Sequence, residues 1–194
     1  MQELRNLTDA IWINILMVVT SIPIVTVGAA ITAAHDANRR ALQGEAGGVT
    51  RNYFKAFRAN FAKSTALWAV FGITGAALAY AWVVLQITPL LVPKIGLTLV
   101  WIIGFEWVFA LQARFENAVG RTLTNAFVFG ISHILLTVGM IVLDAIWVGL
   151  LAACWFLFPQ GLFLLVVMGY GTMILCHIPL LERGFAQYLK SGEE

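Results

Sequence analysis

Charged side chains are scarce in this 194-residue chain, where Asp, Glu, Lys and Arg make up only 11% of the residues. Soluble domains carry about 25%, so this chain lacks the polar side chains needed to cover itself in water. The formal net charge is only +2 and the basic residues are not gathered in one polar domain, which argues against nucleic-acid binding. Hydrophobic residues account for 60% of the chain, and we therefore expect the lipid bilayer to be its main partner.

Cysteine and histidine are also few, and their spacing excludes the common sequence patterns of metal and disulfide sites. Cys154 and Cys176 form no CxxC pair, and His35, His133 and His177 show no HxxxH or HExxH spacing. The chain also lacks a nucleophile elbow, a P-loop and a Rossmann glycine pattern. The sequence therefore predicts no metal, no cofactor and no enzymatic activity.

Long apolar runs are present instead, and they predict an all-α integral membrane protein with a single membrane domain over residues 1–194. A helix rises about 1.5 Å per residue, so about 20 apolar residues cross a hydrocarbon core of about 30 Å. About five spans are expected, and we assign them to residues 12–35, 64–86, 95–113, 130–154 and 162–181.

The first of these runs contains a proline near its middle. No charged side chain occurs from residue 13 to residue 34, yet Pro23 removes one backbone donor and clashes with the carbonyl four residues before it. The hydroxyls of Thr20, Ser21 and Thr26 lie close enough in sequence to take up the freed backbone groups. We therefore predict a spanning helix that is kinked or broken at Pro23.

A basic and aromatic stretch separates the first two predicted spans. Its phenylalanines follow an i, i+3, i+7 spacing that places them on one helical face, and basic residues lie beside them. The stretch predicts a short amphipathic cytoplasmic helix, which either anchors the chain at the membrane surface or contacts a partner protein. The residues of this face are Arg51, Phe54, Lys55, Phe57, Arg58 and Phe61.

The distribution of basic residues predicts an orientation. With five spans the two termini lie on opposite sides, and of the 12 Lys and Arg residues only Arg5 and Lys94 fall on the less basic side. The positive-inside rule then places the N-terminus outside and the C-terminus in the cytoplasm.

Two carboxylates lie inside predicted spans. A charge at the centre of a spanning helix costs about 2.5–3.5 kcal/mol on insertion scales, so such residues usually face protein or water. Glu106 and Asp144 fall at similar depth and could meet. They would then act either as a proton or cation relay, or as a neutral hydrogen-bonded pair that joins helices. Asn14 is expected to form an interhelical hydrogen bond, and Gly169 and Gly171 are expected to allow close helix packing.

The chain resembles the YesL-like family of small bacterial membrane proteins. The resemblance rests on Asn14, on the segments 22–29, 32–33 and 54–61, and on Leu123-Thr124-Asn125-Ala126. It covers nearly the whole chain, is most specific over residues 12–63 and is weak beyond Ala126. Members of that family carry a domain of unknown function, without assigned catalytic residues, and are often encoded beside carbohydrate-uptake ABC transporters and two-component sensors. The resemblance therefore implies a location in the bacterial cytoplasmic membrane and a partner role in sugar import.

Two functions remain open from the sequence. The first is a non-enzymatic accessory subunit of an ABC transporter, since the chain lacks the glutamate-alanine-alanine loop by which such permeases engage their ATPase. The second is a small transporter or channel in which the break at Pro23, with Glu106 and Asp144, forms a midplane site. Five spans are few for one transporter chain, so the second function would require self-association.

Overall fold

The computed structural model describes residues 2–45 and 47–190, and this part of the chain is all-helical apart from its turns. Four helices are each long and apolar enough to cross a membrane: Val49–Val83, Thr88–Arg114, Ile134–Leu157 and Gly161–Ala186. The all-α fold is therefore confirmed, with four candidate spans among the described residues where the sequence predicted five. The helices are α1 (Gln2–Thr20), α2 (Val27–Leu42), α3 (Val49–Val83), α4 (Leu91–Arg114), α5 (Val119–Ser132), α6 (Ile134–Leu157) and α7 (Gly161–Lys190).

The predicted first span is two helices rather than one. Helix α1 ends at Thr20 and α2 begins at Val27, with a short 3₁₀ turn over Ile24–Thr26. Pro23 lies in this break because it cannot donate a backbone hydrogen bond. The Thr26 hydroxyl donates to the carbonyl oxygens of Thr20 and Pro23, which the break has freed. The predicted break at Pro23 is therefore present, and residues 12–35 form parts of two helices rather than one kinked helix.

Helices α1 and α2 form an antiparallel hairpin. The side chains of Asn14 and Asn38 both bond to the backbone of Gly171, whereas 24 residues of one continuous helix would separate them by about 36 Å. Arg5 lines the same cavity as Gly44 in the α2–α3 loop. The first run therefore returns to the end at which it started, and the prediction that it carries the chain from one face to the other is wrong.

Helix α2 is the buried axis of the bundle. All residues from Gly28 to Asn38 are buried, and most of them are glycine, alanine or threonine. A Cβ atom added at Gly28 would collide with the Ser64 carbonyl oxygen and lie 2.6 Å from Trp68 Cβ. The hydroxyls of Thr32 and Ser64 are 2.8 Å apart. Small side chains thus let α3 approach α2 closely, as at other helix contacts in membranes.

The predicted amphipathic helix and the second predicted span form one continuous helix, α3. Its 35 residues extend about 52 Å, well beyond a hydrocarbon core of about 30 Å. No proline or glycine interrupts residues 51–63, so the backbone has no reason to break where the composition changes. The prediction of a separate short amphipathic helix is wrong, since that stretch is the N-terminal part of α3.

The fourth predicted span, residues 130–154, is shared between two helices in the structure. Helix α5 ends at Ser132 and α6 begins at Ile134, with His133 in a non-helical conformation between them. Helix α5 has 14 residues, which is about 21 Å and too short to cross the core. It packs along α4, where the Thr122 hydroxyl donates to the Gln112 side-chain oxygen. The spanning part of this region is therefore α6.

Candidate functional site

Three polar side chains from different helices meet in the bundle. Glu106 of α4, Asp144 of α6 and His177 of α7 each place one ligand atom within 4.8 Å of the other two. His177 Nε2 lies 3.2 Å from Asp144 Oδ1. The Tyr170 hydroxyl donates to Asp144 Oδ2 at 3.4 Å. We call Glu106, Asp144 and His177 the acid–histidine cluster.

Helix periodicity explains why α7 supplies two of these groups. Tyr170 and His177 are seven residues apart, which is about two helical turns, so both lie on one face of α7. Their rings meet edge to face, with centroids 6.4 Å apart. That face is turned toward Asp144 on α6, and α4 supplies Glu106 within 4.8 Å.

Two members of the cluster are buried, and its polar atoms are incompletely paired. Glu106 is 7% exposed and His177 only 1%, whereas the Asp144 side chain is 25% exposed. Glu106 Oε2 is buried without a hydrogen-bond partner, and Asp144 Oδ1 and His177 Nε2 face only each other, without hydrogen-bond geometry. Within residues 2–45 and 47–190, no lysine or arginine forms an ion pair with either carboxylate. Two nearby carboxylates in a medium of low dielectric repel each other unless they share a proton or hold a cation, so the site can hold either.

The sequence placed Glu106 and Asp144 at similar depth, and the structure brings them together. It did not single out His177 as a member of this site, because the three residues lie on separate helices with no short spacing between them. The sequence contained one weaker indication of its role, since His177 and Tyr170 share one face of an apolar helix. Pro23 does not join the cluster, since it is exposed at the tip of the α1–α2 hairpin.

A second discontinuity lies beside the cluster, in α7. Gly169 interrupts the helix with φ 48° and ψ −172°. The buried carboxamide of Asn14 reaches into this break: Nδ2 donates to the carbonyls of Val166 and Val167 at 2.9 and 2.8 Å, and Oδ1 accepts from the Gly171 N–H at 3.0 Å. The helix break that lies next to the carboxylates is therefore the one at Gly169 in α7, and not the one at Pro23.

Five of the six basic and aromatic residues that the sequence placed on one face of this stretch of α3 lie on the surface. The sixth, Phe57, is half-buried and stacks on the buried Tyr53 with ring centroids 6.3 Å apart. We call the exposed members the α3 face, which consists of Arg51, Phe54, Lys55, Arg58 and Phe61.

A network of ion pairs stands beside the α3 face at the end of α2. Asp36 is buried and accepts from Arg39 at 2.8 Å and from Arg40 at 2.7 Å. The hydrogen bond that Arg40 donates to Asp36 raises the pKa of Arg40 above its ordinary value. A cavity of about 550 Å³ opens here, and its lining includes Lys55 and Lys63. Asp36 was not among the site residues predicted from the sequence, although its spacing from the two arginines, i+3 and i+4, is that of helical ion pairs.

Four long apolar helices with polar groups buried between them are compatible with a multi-pass α-helical membrane protein. Residues 10–82 match the model of a family described as a protein of unknown function, DUF624. YesL-like proteins carry this domain, so the resemblance to the YesL-like family is confirmed over that part of the chain. No curated protein and no solved structure matches the chain.

Proposed function

We propose that this protein is a non-enzymatic subunit of the bacterial cytoplasmic membrane that assists a carbohydrate-uptake ABC transporter. The α3 face is the observation that carries the proposal, because it displays basic and aromatic side chains on a rigid helix. The YesL-like resemblance supports the choice of partner. We expect the α3 face to bind a cytoplasmic surface of the transporter that is apolar at its centre and acidic around it.

The composition of the α3 face supports a contact with protein. Phe54 and Phe61 are 38% and 40% exposed, and Arg58 lies between them in sequence. Aromatic residues and arginine are enriched at protein interfaces, where they supply most of the energetically important contacts. The continuous helix holds these side chains in fixed register, so binding would cost little backbone entropy.

We propose an orientation in which both termini are cytoplasmic. The α1–α2 hairpin returns to its starting end, and four spanning helices then bring the chain back to that same side. Eleven of the 12 basic residues, all except Lys94, would then face the cytoplasm, which satisfies the positive-inside rule better than five spans do. Lys94 stands at the opposite end, where its ammonium donates to the carbonyl of Leu85 at 2.8 Å.

Affinity purification from native membranes tests the accessory role. We expect the tagged wild type to recover ABC transporter subunits in stoichiometric amount. The double substitution Phe54→Glu with Phe61→Glu should lower that recovery about tenfold or more, as loss of interface anchors does. Leu4→Glu is the matched control, since Leu4 is 71% exposed on α1 and lies outside the α3 face. Recovery of no transporter subunit, or equal recovery by the double variant, would reject the proposal.

A small oligomeric transporter or channel is the second candidate. It is favoured by the break at Gly169, which lies next to Tyr170 and its bond to Asp144, because transporters often place ion sites at discontinuous helices. Liposomes that contain only this protein should then show cation flux that Asp144→Asn abolishes. The absence of flux in wild-type liposomes would remove this candidate without affecting the accessory role.

A further inference from the structure

We infer that Glu106, Asp144 and His177 form a binding site for one divalent first-row transition-metal ion. The inference concerns the chemistry of the acid–histidine cluster and does not depend on the accessory role. It reverses the expectation from the sequence, in which the histidine spacing gave no metal pattern. The reversal is due to tertiary structure, which assembles the ligands from three helices.

The donor set defines the class of ion. One imidazole nitrogen and two carboxylate oxygens suit zinc, manganese and ferrous iron. Calcium and magnesium prefer sites built from oxygen alone, and the imidazole of His177 therefore argues against them. Two carboxylates would also balance the charge of a divalent cation. Among the described residues, neither carboxylate has a lysine or arginine as its ion-pair partner.

Unpaired and deeply buried ligand atoms point to a missing positive partner. Glu106 is 93% buried and His177 is 99% buried, by their exposures of 7% and 1%. Glu106 Oε2 nevertheless has no hydrogen-bond partner, and His177 Nε2 faces only Asp144 Oδ1, at 3.2 Å and without hydrogen-bond geometry. Leaving a buried polar atom unpaired is costly, and more so where the group is charged. A bound cation would pair all three ligand atoms at once.

The separations suit an ion after a small contraction. A tetrahedral ion at about 2.1 Å from each ligand holds its ligand atoms about 3.4 Å apart. His177 Nε2 and Asp144 Oδ1 are already 3.2 Å apart. The widest pair in the cluster is within 4.8 Å, so closing the site requires its ligand atoms to approach by at most about 1.4 Å. A water molecule would complete four-fold coordination.

Tyr170 acts as a positioning residue for this site. Its hydroxyl donates to Asp144 Oδ2, which leaves Oδ1 directed to His177. Groups that orient metal ligands in this way typically change metal affinity by about 10–100-fold. Tyr170→Phe should therefore weaken metal binding without abolishing it.

Metal binding by the purified full-length protein tests the inference. After removal of metals with EDTA, the wild type in detergent should bind one Zn²⁺ or Mn²⁺ per chain, measured by titration calorimetry and elemental analysis. Co²⁺ should give the ligand-field absorption of a site with nitrogen and oxygen ligands. Glu106→Gln, Asp144→Asn and His177→Asn should each weaken binding by about tenfold or more.

Two controls keep the result interpretable. His133→Asn should bind as the wild type does, because His133 lies outside the cluster. Thermal unfolding followed by circular dichroism reports whether each variant is folded, and the metal should raise the Tm of the wild type but not that of Glu106→Gln. The inference is overturned if the wild type binds no metal, as expected for a proton shared between the acids. It is also overturned if folded Glu106→Gln and His177→Asn bind metal as tightly as the wild type.

Discussion

Asn14 of α1 takes over the backbone hydrogen bond that Gly171 of α7 would make in an unbroken helix. The regular acceptor of the Gly171 N–H is the Val167 carbonyl. Here the N–H donates to Asn14 Oδ1 and the carbonyl accepts from Asn14 Nδ2. One carboxamide therefore satisfies both groups at the interruption, and it joins α1 to α7.

Loss of this carboxamide should destabilise the protein strongly. We expect Asn14→Leu to lower the free energy of unfolding by about 3 kcal/mol, because it removes the partner of the buried Gly171 N–H and two further, part-buried hydrogen bonds to the carbonyls of Val166 and Val167. Thermal or SDS-induced unfolding in detergent measures this change. Thr8→Ala is the control on the same helix, since the Thr8 hydroxyl is exposed and should contribute little. Similar stability of the two variants would contradict the role of Asn14.

Gly169 should tolerate no side chain. Its positive φ costs an L-residue about 1–2 kcal/mol, and an added Cβ would collide with the Asn14 carboxamide. Gly169→Ala should therefore lower the Tm. Gly149→Ala should leave it unchanged or raise it slightly, because nothing lies within 4 Å of a Cβ at Gly149 and alanine favours helix. The prediction fails if both substitutions have the same effect.

Asp36 should contribute to stability more than its exposed neighbour Glu45. Asp36→Asn leaves Arg39 and Arg40 without their buried anion, and we expect a loss of about 3 kcal/mol. Glu45→Gln should cost less than about 1 kcal/mol, because exposed pairs are weak. Unfolding measurements on both variants make the comparison, and equal losses would contradict it.

The pH dependence of the ion pairs between Asp36 and the two arginines follows from the direction in which the pKa of Arg40 is shifted. The hydrogen bond that Arg40 donates to Asp36 raises the pKa of Arg40, so the contribution of the charged guanidinium is fully present below its ordinary pKa. That contribution is lost only as the pH rises through the higher value of the folded state. The difference in stability between wild type and Arg40→Met should therefore be constant from neutral to moderately alkaline pH. A difference that fell across this interval would show that another group controls the network.

Cysteine labelling of intact cells tests the proposed orientation. The native Cys154 and Cys176 are first replaced by alanine, and single cysteines are then introduced by Leu4→Cys, Ile87→Cys and Arg183→Cys. An impermeant reagent should label the position at Ile87 from outside and neither of the other two. Labelling of the Leu4 and Ile87 positions from the same side would contradict the proposed crossing of four helices.

The polar residues show how far sequence reasoning reaches. Glu106 and Asp144 could be selected because a carboxylate in an apolar run is costly wherever it lies, and depth along a helix follows from residue count. His177 could not be assigned to them in the same way. Its pairing depends on how α4, α6 and α7 pack together, and no local spacing records that arrangement.

The sequence by itself determined the environment and the helical class of this protein. Hydropathy is summed over neighbouring residues, and a chain in lipid must satisfy its backbone bonds within each helix. Tertiary structure decided that the first run folds back as a hairpin, that Asn14 fills the break at Gly169, and that three distant polar groups meet. The physical reason is that these features depend on contacts between helices remote in sequence, whose free energies are set by shape and pairing rather than by composition.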